Sequence, residues 1–182
     1  MNRASQSEIG NRKSAIRAFT LIEMLTAVAL LVIVLGLMVS LARYVRNRSA
    51  TQLTREILAN LNEAMARYVE TYSAKPHVPL LVDSADLPDE QTLLRAAELN
   101  NRRFVAQMKN HLVGPFWWSL PGTVYDHAML RDAWGTPIVL MPAKHNAIGM
   151  APGNKSFFFS AGPDRLYHTR EDNLYSYEVA GR

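Results

Sequence analysis

FTLIEMLTAVALLVIVLGLMVSLA, residues 19–42, decides how the rest of the chain is read. It carries one charge, Glu23, and no proline. Its 24 residues, at a helical rise of about 1.5 Å each, reach roughly 36 Å, enough for a hydrocarbon core about 30 Å thick. A soluble helix apolar on every side needs a large interior to hide in, and a chain of 182 residues has little to offer. The spacing and composition therefore predict a membrane-spanning helix.

Outward on the N-terminal side, residues 1–18 are polar and basic without apolar periodicity. Arg3, Arg12, Lys13 and Arg17 stand against Glu8 alone. Most of the formal charge of +4 and the pI of about 9.5 comes from this leader. The remainder is nearly neutral, so the basic balance gives no argument for nucleic-acid binding. With 48% apolar and 20% charged residues the chain is expected to fold. It has no cysteine, which excludes disulfides, thiolate metal sites and cysteine nucleophiles.

On the other side, Leu53, Ile57, Leu61, Met65, Tyr68 and Tyr72 recur at three- and four-residue steps among charged positions. That period predicts an amphipathic helix. No Gly or Pro interrupts residues 37–75, so span and amphipathic segment read as one helix from Phe19 to about Tyr72. Pro76 and Pro79 stop it. A second helix is expected after a cap at Ser84 or Asp86, with Pro88 in its first turn. Its imperfect apolar face is Leu93, Leu94, Ala97, Val105, Met108 and Leu112, and Gly114-Pro115 ends it. Segments 116–120, 123–125, 137–141, 157–161 and 174–179 read as short strands between Pro/Gly turns. Consecutive short strands imply an antiparallel sheet, and its apolar face needs the amphipathic helix as cover. The fold class is α+β, divided as leader 1–18, span 19–42, amphipathic continuation 43–75 and head 76–182.

The junction Ala18-Phe19-Thr20-Leu21-Ile22-Glu23, following basic residues and opening an apolar run, resembles the N-terminal signal of type IV pilins and type II secretion pseudopilins. The resemblance implies a pilin-like fold and a structural rather than enzymatic role. It implies cleavage between Ala18 and Phe19 by a prepilin peptidase, methylation of Phe19 by the same enzyme, and retention of the span. Most members have Gly before the cut, and this chain has Ala18. Glu23 would then meet the new amino terminus of a neighbouring subunit and set the filament's stagger. A carboxylate within an apolar helix costs a few kcal/mol at mid-bilayer, which is a physical reason for it to seek such a partner. The implied partners are the peptidase, copies of the chain and other pseudopilins, and an inner-membrane assembly platform. The implied location is the inner membrane, single-pass, with the head in the periplasm. Charge does not orient the span, because Arg43, Arg46 and Arg48 after it balance Arg12, Lys13 and Arg17 before it.

Three later stretches are similar to the major pseudopilin. Residues 61–68 look like the end of its long helix. Asp132-Ala133-Trp134-Gly135-Thr136-Pro137 is similar to its Asp-x-Trp-Gly-x-Pro turn. In that turn Asp132 is expected to hold the backbone, Gly135 to supply a permissive conformation and Trp134 to bury area. Ser160-Ala161-Gly162-Pro163-Asp164, with Glu171, Asp172 and Asn173, looks like its calcium loop. Calcium takes six to eight oxygens, and Asp164, Glu171, Asp172 and Asn173 are the candidate ligands. Arg165 and His168 stand where that loop usually has Gly. Residues 77–125 match nothing in the family's pattern.

His77, His111, His127, His145 and His168 have no partner at helical zinc spacing. The chain has no nucleophile elbow, phosphate loop or dinucleotide fingerprint. Two alternatives stay open. One is a single-pass anchor for a periplasmic binding domain. The other is a secreted soluble domain released after Ala42, since Ser40-Leu41-Ala42 has the small-x-small pattern of a signal peptidase site. Pilus and secretion pseudopilus are equally served by these residues.

Overall fold

The computed structural model describes residues 20–82, 87–111 and 115–179. The chain divides into two compact units, one ending at Arg43 and the other Tyr44–Arg182. Helix α1, Leu21–Tyr72, is one uninterrupted helix of 52 residues, as the absence of breakers predicts. Its residues 21–49 are exposed throughout, the long apolar run included. Among the described residues it is the helix long and apolar enough to cross a membrane.

Within the second unit α1 becomes one wall of the core. Ile57, Leu58, Leu61, Ala64 and Met65 are buried along one side. They pack with Leu140 and Phe158 of the sheet and with Phe104, Val105 and Met108 of the next helix. Helix α2 spans Glu90–Met108. It begins later than expected: Asp89 is its cap, accepting from the backbone N–H of Gln91 (3.0 Å) and Thr92 (3.1 Å). Pro88 therefore precedes the cap instead of sitting in the first turn, while Ser84 and Asp86 lie outside the described residues. The helix also ends before Gly114, at Met108, where the His111 N–H turns back to the Met108 carbonyl (2.7 Å). Of the expected face, Leu93, Ala97, Val105 and Met108 are buried, Leu94 is exposed and Leu112 lies outside the described residues.

The expected strand at 116–120 is instead a short helix α3, Pro115–Ser119. Proline at its first position suits a helix start, where an N–H has no intrahelical partner in any case. Residues 123–125 form a turn closed by a single bridge, Tyr125 to Leu130, not a strand. The sheet has three antiparallel strands in chain order: β1 Val139–Met141, β2 Phe157–Ser160 and β3 Leu174–Tyr175. Val139 pairs with Phe159, Met141 with Phe157, and Phe159 in turn with Tyr175. The segment 174–179 changes after two residues into helix α4, Ser176–Val179.

The sheet is buried on both faces, not one. Alternation along β1 and β2 sends Leu140 and Phe158 toward α1. Val139, Met141, Phe157 and Phe159 go the other way, where Leu93 and Ala97 of α2, Ile148, Tyr167 and Tyr175 cover them. Continuous apolar runs such as FFF are what a strand buried on both sides requires.

Candidate functional site

At the membrane end, Ala18 and Phe19 lie outside the described residues. Glu23 is exposed in the first turn of α1. Its carboxylate accepts from the backbone N–H and the hydroxyl of Thr20, both at 3.4 Å, while the Glu23 N–H donates to Thr20 Oγ1 at 3.3 Å. This is a capping box, Thr-x-x-Glu, satisfying helix-start donors reciprocally. The same Thr-x-x-Glu spacing is present in the sequence at residues 20–23. The contacts are long for hydroxyl–carboxylate bonds, and the carboxylate keeps lone pairs for a further donor.

In the head, the Trp-Gly turn is tied down from three sides. Asp132 is buried and accepts from the backbone N–H of Trp134 and Thr136, both at 2.9 Å, and from the Thr136 hydroxyl. Ser160 Oγ of β2 donates to it at 2.6 Å, a link no local pattern indicates. The Ala133 N–H donates to Thr54 Oγ1 of α1 at 3.2 Å. Gly135 has φ 94°, the left-handed region that glycine enters without strain. Trp134 is only half-buried. The motif thus fastens sheet, turn and helix together, a structural role.

The acidic loop follows β2. Gly162 has φ 72°, and a Cβ there would stand 2.0 Å from the Asp172 carbonyl oxygen, so only glycine lets the two ends of the loop close on each other. Arg165 has φ 65°, a left-handed conformation that non-glycine residues adopt uncommonly. Asp164 Oδ1 accepts from the Leu166 N–H at 2.9 Å, forming a local turn. Glu171 and Asp172 are exposed. Asn173 is buried at 5% exposure, its amide donating to the Tyr167 carbonyl (3.1 Å) and the Tyr175 hydroxyl (3.4 Å). Its Oδ1 has no hydrogen-bond partner among the described residues. The loop's oxygen donors are the carboxylates of Asp164, Glu171 and Asp172 and the unpartnered amide oxygen of Asn173. Among the described residues no three His, Asp or Glu side chains converge on a single point. Across the loop, Glu90 at the start of α2 accepts from the Tyr167 N–H (2.9 Å) and meets His168 Nδ1 (2.7 Å).

Burial raises the Tyr167 hydroxyl pKa far above its ordinary value, with the Asp132, Glu90 and Glu98 charges adding to it, so it stays a neutral donor to the Pro137 carbonyl. Asp126 moves the other way: its hydrogen bond from Arg131 (2.8 Å) lowers it to about 2.

An α+β chain with a long apolar N-terminal helix, whose second half packs on a small antiparallel sheet, is compatible with a pilin-like fold. Compared with models of protein families, with curated proteins and with solved structures, the chain matches none.

Proposed function

We propose that the chain is a structural subunit of a filament of the type IV pilus or type II secretion pseudopilus kind, made as a precursor and not an enzyme. The observation that carries this is α1: its apolar first part is exposed from Leu21 onward, while the same helix continues into the core of the head. An exposed apolar helix needs either lipid or other helices around it. A filament supplies helices, and the membrane supplies lipid while the precursor waits.

In this reading the prepilin peptidase cuts between Ala18 and Phe19 and methylates Phe19. The freed amine is the donor that Glu23 of a neighbour receives. The head faces the periplasm and steadies its sheet-connecting loop with calcium held by Asp164, Glu171, Asp172 and Asn173. The partners are copies of itself, other pseudopilins and the inner-membrane platform that stacks them.

Intact mass and N-terminal sequencing of the protein from its own membranes test the proposal. A start at N-methylated Phe19 is the expected result. A start at Arg43 would replace the filament with a soluble head released after Ala42. An uncut Met1 would leave a plain anchor, and the groove of about 750 Å³ lined by Met65, Val69, Phe157 and Tyr177 would become the binding surface to probe.

A further inference from the structure

Beyond the membrane run, α1 has two sides. The buried side carries Thr54, Ile57, Leu58, Leu61, Ala64 and Met65. The opposite side is exposed and carries charge in two blocks: Arg48 and Arg55 first, then Glu56, Glu63 and Glu70. At about 100° per residue these five fall within an arc of about 100°. The two arginines are seven residues apart, and so are successive glutamates. Between Glu23 and Glu56 the chain has no acidic residue, so Arg48 and Arg55 find no opposite charge one turn below them. Among the described residues, Glu63 pairs with Arg67, while Arg48, Arg55, Glu56 and Glu70 have no ion pair.

A second copy of the chain is the partner that matches this pattern. Copies of a single-pass protein insert the same way, so their helices run parallel. Slide one parallel copy along the other by eight residues, about 12 Å, and Arg48 comes level with Glu56 while Arg55 comes level with Glu63. The equal spacing makes both pairs form at once. Glu63 can keep Arg67 on one oxygen and receive the neighbour's Arg55 on the other. A fifteen-residue slide also aligns two pairs, with Glu63 and Glu70, but leaves little more than a third of the apolar run side by side in place of about two-thirds.

We propose that Arg48 and Arg55 of one copy bind Glu56 and Glu63 of the next, making the exposed side of α1 a self-docking surface with an eight-residue step. This rests on the filament reading for its biological use, but the contact itself can be tested in membranes without filaments.

Arg48→Glu should lower filament yield about tenfold or more, since like charges then face each other. Combining it with Glu56→Arg on the same chain should restore the yield. Because the chain has no cysteine, membranes holding a Gln52→Cys copy and an Ala59→Cys copy of the full chain should give an oxidised dimer. The pair Gln52→Cys and Arg67→Cys should give little. Undiminished filaments from Arg48→Glu, rescue by Glu63→Arg in place of Glu56→Arg, or a dominant 52–67 cross-link would each overturn the proposal. If the wild-type chain forms no filament, the functional reading fails separately, and the cross-link still decides the contact: a 52–59 dimer upholds it and its absence overturns it.

Discussion

Glu23 has two uses in reach, and a pair of substitutions separates them. As the third residue of α1 it caps Thr20; as a lone carboxylate heading an apolar run it is the group a neighbour's amine would seek. Glu23→Gln keeps an oxygen for the Thr20 donors and loses the charge. Both Glu23→Gln and Glu23→Ala should insert normally and fail to assemble, with filament yield as the measure. Filaments from the Gln variant alone would assign Glu23 to capping. Asp126 responds to pH through Arg131. Its folded pKa of about 2 lies below its ordinary 3.8 because of Arg131. The pair's stabilisation is therefore complete above about pH 4 and is lost as pH falls through 2. The Asp126 side chain is 39% exposed, so solvent screening limits the effect, to about 0.5 kcal/mol. Acid titration of stability should show Asp126→Asn less stable than wild type near pH 6, the difference closing as pH falls below 2.

At the scale of elements, the connection between α2 and the sheet is made by two adjacent amides in mid-helix. Asn101 donates to the Leu130 (2.7 Å) and Ile138 (2.6 Å) carbonyls and accepts from the Leu130 N–H (2.9 Å). Asn100 does the same for the Leu140 N–H and carbonyl, and reaches Pro79 (2.7 Å). Asn100 stands in for a strand neighbour of Leu140 in β1, while Asn101 clamps the Leu130 and Ile138 backbone that leads into the sheet. Both are fully buried, so their loss strands backbone groups away from water. Asn101→Ala should cost about 3 kcal/mol in urea unfolding, with Asn101→Leu no better, because the loss is of hydrogen bonds and not of volume. A surface change such as Arg102→Ala should cost under about 0.5 kcal/mol. In sequence, Asn100-Asn101 only made the apolar face of α2 look imperfect. Polar residues in mid-helix carry no mark of whether they face solvent or a strand edge.

For the whole molecule, the unit Tyr44–Arg182 holds both core clusters, so a fragment beginning at Arg43 is expected to fold without the apolar run. Millimolar calcium should raise its melting temperature by several degrees over chelator, through the loop of Asp164, Glu171, Asp172 and Asn173. Identical melting curves would remove the cation from the proposed function. The loop's backbone is already set for a tight closure: Gly162 admits the Asp172 carbonyl, and Arg165 holds a left-handed conformation at a cost of about 1 kcal/mol or more.

The long helix, its apolar and amphipathic parts, the α+β class and the identity of three strands were legible from residue pattern, because period and breaker residues are local properties of the chain. The sequence also contained the Thr20–Glu23 box and the alternating charge blocks of α1, which follow from spacing alone. Long-range packing made 115–119 a helix, closed 123–125 as a turn and buried the sheet on both faces. It alone brought Ser160 and Thr54 to the Asp132 turn, made Asn100 a partner of β1 and tied Asn101 to the backbone before it. Those outcomes depend on which distant backbone groups lack a hydrogen-bond partner once the core has formed, and a one-dimensional pattern carries no record of that.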